Sequence, residues 1–338
     1  MKVIRILFIA IIFAALILPG IVMLTQSSAP ESFSVSAVED WIDEEIGFRS
    51  AFITAYGTIC ERLFHTSGND QVLIGKDNML FYSETINDYA GSSPMTDAEI
   101  TALAESLAEL SGSVEARGAH LIVLIAPNKN TVYPENMPYY ISRGNGSSNR
   151  ERFHKQLNAL SVCYIDALPL LQNAGFQTYY TTDTHWNPEG ARLAYCAIME
   201  QISQWYPDIA YSDYADAPRT ENSHFGDLAK MYKPVTSTRE VTSVVDVGSP
   251  YRFVRPMRSM DDMIIRTTSK NNPQLNLFVL RDSFGEALFP YLASNAGSLT
   301  YSRTLPYDDT LAQSEEANVI ILEIVERNLG SLEIASQE

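Results

Sequence analysis

His120-Leu121-Ile122-Val123-Leu124-Ile125-Ala126 is apolar at every position after its first residue. A strand with one wet face would alternate. An unbroken run of branched aliphatics is what a parallel strand covered on both faces requires. Just before it, residues 96–116 read as a helix: Thr96 and Asp97 supply capping groups, Ile100, Leu103, Leu107, Leu110 and Val114 form one stripe, and Gly118 ends it. The same alternation extends outward. A helix over 149–160, a strand over 162–165 and a helix over 167–173 follow, then a strand-like run at 176–180 leading into a helix that starts after Asn187. Asn187 is a good N-cap, and Pro188 suits the first helical position because its missing N–H would have no partner there. Later come a strand at 275–280, a helix at 284–292 and a buried strand at 319–325. Strands alternating with helices predict a doubly wound α/β sheet with right-handed crossovers.

Around this frame, 71–82 reads as a hairpin about Gly75-Lys76-Asp77-Asn78, and 38–64 as a helix broken near Gly47. Between 206 and 270 the chain turns polar, which predicts an insertion over the carboxyl edge of the sheet, with one β pair, 239–245 against 251–256. Residues 6–24 carry no charge and follow Lys2 and Arg5. That length suffices to cross a bilayer, and the flanking charges predict that the remainder is exported. A cleaved signal peptide is the alternative. Its only small-residue site, Ser27-Ser28-Ala29, is followed by Pro30, which favours an uncleaved anchor. The organisation is therefore an anchor over 1–25, a linker over 26–37 and an α/β domain over 38–338.

The 338 residues, 46% of them hydrophobic, can bury a large core. A net charge of −17 repels phosphate backbones and argues against nucleic acid as a partner. Cys60, Cys163 and Cys196 are odd in number, widely spaced and without a C-x-x-C, so they read as free thiols. No zinc signature, Walker loop or Gly-x-Gly-x-x-Gly is present, so neither a metal nor a cofactor is expected. His65, His120, His154 and His224 read as structural or surface residues.

Asp183-Thr184-His185-Trp186-Asn187 places a carboxylate two residues before an imidazole, at the entry to a helix. A carboxylate can fix the tautomer of such a ring and stabilise its charged form. Ser283, in Arg281-Asp282-Ser283, stands where another strand turns into a helix, so its hydroxyl is exposed beside free N–H groups. Separately, the first pair reads as a turn carboxylate with a surface histidine, and the second as a helix cap. Together, at one sheet edge, they form a candidate Ser283–His185–Asp183 triad.

These pieces resemble blocks of the AlgX/AlgJ-like SGNH-hydrolase family, DHHW-type bacterial proteins whose known members O-acetylate exopolysaccharides. Six blocks occur in the family's order: Val72 to Asp77 with Leu80-Phe81-Tyr82; Pro127-Asn128-Lys129-Asn130-Thr131-Val132-Tyr133-Pro134-Glu135; Asp183-Thr184-His185-Trp186; Gly226-Asp227-Leu228; Arg281-Asp282-Ser283-Phe284; and Glu323 to Leu329. The resemblance implies an SGNH-hydrolase-like (flavodoxin-like) three-layer α/β/α sandwich. It also implies circular permutation, since the Asp-His pair precedes the serine. Ser283 would be the nucleophile, His185 the base and Asp183 its orienter. Arg281 stands where a glycine often occurs, which leaves the oxyanion hole to the Ser283 N–H with Asn128 or Lys129, and with charge from Arg281. Tyr133 and Trp186 are candidate substrate contacts.

The implied activity is O-acyl transfer, of acetyl, to a cell-envelope or secreted polysaccharide, by a single-pass membrane protein with its catalytic part outside the cytoplasm. A membrane-bound O-acyltransferase partner would deliver the acyl group. Two alternatives stay open: an esterase using water as acceptor, and a non-catalytic glycan-binding or assembly subunit.

Overall fold

The computed structural model describes residues 2–26, 34–92, 94–236 and 239–335. The chain divides into two compact units, Met1–Asp70 with Ala229–Thr238, and Gln71–Leu228 with Arg239–Glu338. The smaller unit carries helices Lys2–Gln26, Val35–Glu45 and Arg49–Phe64. The break expected near Gly47 falls between the last two. Ser34 caps the second helix by accepting a hydrogen bond from the Ala37 N–H, so that helix starts three residues before the expected 38. Most of the expected linker, 27–33, lies outside the described residues. Lys2–Thr25 is long and apolar enough to cross a membrane and fits a single-pass anchor.

In the larger unit, β1 (Val72–Ile74) and β2 (Leu80–Tyr82) form the expected hairpin. The remaining strands are β3 (His120–Ala126), β4 (Tyr164–Asp166), β5 (Arg219–His224), β6 (Glu240–Val245), β7 (Arg252–Phe253), β8 (Ile264–Thr268), β9 (Asn276–Leu280), β10 (Ser298–Ser302) and β11 (Val319–Val325). The main sheet has seven strands in the order β4-β3-β11-β9-β10-β8-β7. Pairing is parallel from β4 through β10, and β8 and β7 add an antiparallel edge.

The alternation of side chains across the pleat explains the aliphatic runs. Ile122, Leu124 and Ala126 of β3 join a core with Leu277, Val279, Ile321 and helix Pro188–Trp205. Leu121, Val123 and Ile125 join the opposite core with Phe278, Ile320, Leu322 and helices Asp97–Ala116 and Asn149–Ala159. The sheet is thus covered on both faces, and the three-layer expectation holds. Both of the latter helices begin with a capping box, Thr96 with Glu99 and Ser148 with Glu151.

The structure departs from the sequence reading in three places. The run at 176–180 is not a sheet strand. Its backbone folds back on the chain that follows, with Tyr180 N donating to His185 O and Asn187 N to Thr178 O, so its hydrogen bonds are used locally. Second, the 206–270 region gives two strands to the main sheet, and β6 pairs with β5 rather than with 251–256. Third, β10 was not anticipated because Ser298-Leu299-Thr300-Tyr301-Ser302 looks polar. It is buried because its hydroxyls find partners: Thr300 donates to Glu315 and Tyr301 to the Gly285 carbonyl, at 3.0 and 2.6 Å.

Candidate active site

The carboxyl ends of β3, β9 and β11 open onto one edge of the sheet, and the segments that leave them build the site. The Asp183–His185 loop reaches this edge from outside the sheet and is pinned by side chains from elsewhere. Glu240 of β6 accepts from the Thr181 and Thr182 N–H groups, each at 2.7 Å. Asp227 accepts from Thr184 N and Thr184 Oγ1, at 2.8 and 2.6 Å. Gly226 lets that segment approach, since a Cβ there would sit 2.1 Å from the Thr182 carbonyl oxygen. From below, Lys129 Nζ donates to the carbonyls of Leu80, Thr181 and Asp183, at 2.7, 2.8 and 3.0 Å. Burial pushes this lysine down to about 7, but three carbonyl acceptors match the three donors that only the ammonium has.

On that loop His185 Nε2 lies 2.8 Å from Ser283 Oγ, and His185 Nδ1 lies 2.6 Å from Asp183 Oδ1. The residues of the first contact are 98 positions apart in the chain. Asp183 is acceptor for four bonds. Oδ1 also takes the His185 N–H at 3.0 Å, and Oδ2 takes His224 Nε2 at 2.8 Å and the Asp227 N–H at 2.9 Å. Burial alone would raise this carboxyl, but the bonds from His185 and His224 outweigh it and hold the group well below the usual range. For His185, burial favours the neutral ring, yet the hydrogen bond and charge of Asp183 win and raise it. Burial, and then the charge of Asp183, raise Asp227.

Ser283 is held by the sheet itself. It follows β9 after Arg281 and Asp282 and opens a 3-10 turn, Phe284–Ala287, that runs into helix Phe289–Asn295. Asp282 locks the turn, with Oδ1 accepting from Phe284 N and Oδ2 from Val325 N, both at 2.8 Å. Beneath it, Glu323 of β11 accepts from the Asp282 N–H at 3.2 Å. Burial pushes Glu323 well above the usual carboxyl range. The Ser283 N–H donates to nothing among the described residues, so it is free to receive a developing oxyanion.

A cavity of about 430 Å³ opens beside Ser283 and His185, lined by Tyr180, His224, Val244, Met260, Ala287 and Pro290 among others. The structure brings Asp183, His185 and Ser283 together and places the other candidates differently. Lys129 spends its three donors on the carbonyls of β2 and of the loop. Arg281 is buried, stacked over Tyr301 and bonded to the Met260 and Asp282 carbonyls, so its charge is not presented to the cavity. Asn128 is buried, and its side-chain amide has no hydrogen-bond partner among the described residues; its backbone N–H donates to Glu326. Tyr133 bonds to Thr178 through its hydroxyl. Trp186 is fully buried, and its Nε1 donates to the Phe284 carbonyl at 2.9 Å. It braces the serine turn and also lines the cavity.

Sequence reasoning missed His224, read as structural or surface, which binds Asp183 and stacks on Tyr180 with ring centroids 3.8 Å apart. It also gave no role to Asp227, Glu240 or Arg327. The Arg327 guanidinium lies over the rings of Phe284 and Tyr82. Only Asp227 and Arg327 had a signal, as members of family-like blocks. Donor atoms of Asp183, His185 and Asp227 fall within 4.8 Å of one another, close enough to share a cation. The 2.6 Å bond between ring and carboxylate accounts for that cluster without one.

Comparison with known proteins bears on what this arrangement does. The family model described as the SGNH hydrolase-like domain of acetyltransferase AlgX matches residues 72–260. A relative from Pseudomonas fluorescens named "Probable alginate O-acetylase AlgJ" is 28% identical over 204 residues, 59% of this chain and 50% of that protein. The chain therefore spans about half the length of the curated relatives it matches. Bacillus cereus PatB1, solved with a sulfonyl adduct, superposes with a TM-score of 0.59 at 19% identity, covering 76% of this chain and 95% of that one. The O-acetyltransferase domain of Pseudomonas putida AlgJ gives 0.51 at 19% identity, covering 78% and 93%. The two likenesses establish a shared fold.

Proposed function

The chain belongs to the AlgX-type SGNH hydrolase-like family, and from that premise we propose that it is an O-acyltransferase that moves an acetyl group onto hydroxyls of an envelope or secreted polysaccharide. The reading is carried by one observation: the unbroken hydrogen-bonded line from Asp183 through His185 to Ser283, ending beside an unused backbone N–H. The relatives named as alginate O-acetylases support the reaction class.

In the first half-reaction His185 Nε2 takes the Ser283 hydroxyl proton as Oγ attacks the acyl carbonyl carbon. Negative charge builds on the carbonyl oxygen and is met by the Ser283 N–H. The tetrahedral species collapses, the C–O bond to the donor breaks, and His185 returns the proton to the leaving oxygen. In the second, His185 removes the proton of a sugar hydroxyl, which attacks the ester carbon. Ser283 leaves as its oxygen recovers that proton. Asp183 keeps Nδ1 protonated, so that Nε2 is the basic nitrogen, and stabilises the imidazolium in both halves.

The acyl group would come from a membrane-bound O-acyltransferase partner, with the catalytic unit outside the cytoplasm. The apolar helix Lys2–Gln26 supports the location as a single-pass anchor.

The test is intact-mass analysis of the full chain with a small acetyl ester, with and without a glycan acceptor. An adduct of one acetyl group on Ser283 that disappears onto the glycan is expected. Release of free acetate with no glycan product makes it an esterase. The absence of any adduct, with envelope acetylation unchanged in Ser283→Ala cells, makes it a non-catalytic subunit.

A further inference from the structure

Helix Arg49–Phe64 of the smaller unit has its polarity inverted. Its inward face is small and polar. Thr54 Oγ1 accepts from the Val235 N–H at 3.0 Å, Gly57 lies against the Tyr232 carbonyl, and Glu61 pairs with Lys233. Its outward face carries Phe52, Tyr56, Ile59 and Leu63, which are 51, 59, 53 and 68% exposed. With Phe48 at the start, their spacing of three and four residues puts them on a single stripe along the helix. A soluble surface rarely presents such a continuous apolar row.

A second observation says what covers it. The elbow before this helix is fastened to the apolar N-terminal helix: the Gly47 N–H donates to the Pro19 carbonyl at 3.2 Å. Only glycine fits there, since a Cβ at 47 would lie 2.6 Å from Val22 Cβ. Pro19 stands seven residues before the end of helix Lys2–Gln26. At 1.5 Å per residue the elbow is fixed about 10 Å from the end of that helix, which keeps the helix that follows it within reach of the bilayer surface.

We propose that Arg49–Phe64 lies in the membrane interface with Phe48, Phe52, Tyr56, Ile59 and Leu63 turned toward the acyl chains, a second attachment beside the span. The proposal rests on the reading of Lys2–Gln26 as a membrane anchor. Few basic residues flank the stripe, Arg49 and Arg62 on this helix, while 39–45 adds five carboxylates in sequence. Insertion is therefore driven by apolar burial and does not need anionic lipid.

The test uses the full chain in nanodiscs of zwitterionic lipid, with Cys60, Cys163 and Cys196 replaced by alanine. Single nitroxide labels go on Ile11→Cys, Phe52→Cys, Ile59→Cys and, as the aqueous control, Tyr139→Cys. Labels at 52 and 59 should collide with lipid-dissolved oxygen in preference to a water-soluble nickel chelate, as at 11, and the ratio should invert at 139. Adding Gly47→Leu should shift position 52 toward the aqueous ratio. Aqueous ratios at 52 and 59 with a lipid ratio at 11 overturn the proposal. So does shielding from both reagents, which means that a second copy or another protein covers the stripe. An aqueous ratio at 11 overturns the anchor reading, and this inference with it.

Discussion

Asp183 and His185 stand on a loop outside the main sheet, held by Glu240, by Asp227 and His224, and by Lys129, from three other stretches of chain. Ser283 stands three residues past β9, and its neighbour Asp282 is held by β11 through Glu323 and the Val325 N–H. The proposed base is thus fixed by side chains from outside the main sheet, and the proposed nucleophile mainly from within it, by β11 and the Tyr301 hydroxyl of β10, with Trp186 added. Distributed support degrades gradually when one member is lost. Support concentrated on Asp282, the residue next to Ser283, acts on the hydroxyl most directly, even though Trp186 and Tyr301 also bond to the carbonyls of the turn.

Removing the nucleophile breaks the comparison outright. Ser283→Ala should lose on the order of 10⁶-fold in acyl transfer with an unchanged thermal midpoint, read by acetylation of the glycan acceptor and a melting curve together. Next, Asp183→Asn keeps the geometry of the base half but permits the wrong tautomer of His185. Acylation measured by adduct formation should fall by about 10⁴-fold.

Two supports then test the asymmetry directly. Glu323→Ala frees the Asp282 N–H and the serine turn, and a misplacement near 1 Å costs about 10²-fold in kcat, while Glu323→Gln restores most of it. Glu240→Ala removes one of several fasteners of the base loop and should cost only about tenfold. Comparable losses for the two alanine variants would end the distinction.

The smallest effect is in pH. His185 must be neutral to act, and Asp183 raises it above its ordinary 6.5. The acid limb of kcat/KM should therefore lie above 6.5, with activity falling about tenfold per pH unit below it. Stability has two windows from the same pair. The raised His185 contributes stability at pH below its unfolded value, and that is lost as pH rises through its folded value. The lowered Asp183 contributes above the ordinary carboxyl range, and that is lost on acidification. A limb below 6.5 would mean that the Asp183 bond does not dominate the burial of the ring.

Much of the frame was legible locally. The runs at β3 and β11 announced a sheet covered on both faces, and Thr96, Ser148 and Asn187 cap helices. β10 was not legible, since Thr300 and Tyr301 are buried only because Glu315 and the Gly285 carbonyl receive their hydroxyls. Lys129 and Arg281 stand in the sequence as oxyanion candidates and Trp186 as a substrate contact, because long polar or aromatic side chains beside a motif give no sign of which way they point. In the fold each turns inward and bonds to backbone carbonyls. His224 lay forty-one residues from Asp183 with no spacing to betray it.

The sequence by itself determined the alternating α/β elements, the apolar N-terminal helix and the three side chains proposed as a triad. Those follow from side-chain periodicity, capping chemistry and charge, which act over a few residues. That the Ser283 hydroxyl meets the His185 ring, that Asp183 is shared with a second histidine, and that the helix after Gly47 turns its apolar side outward were decided only by the tertiary structure. Such contacts join segments far apart in the chain, and which groups meet is set by how the whole core closes rather than by any local pattern.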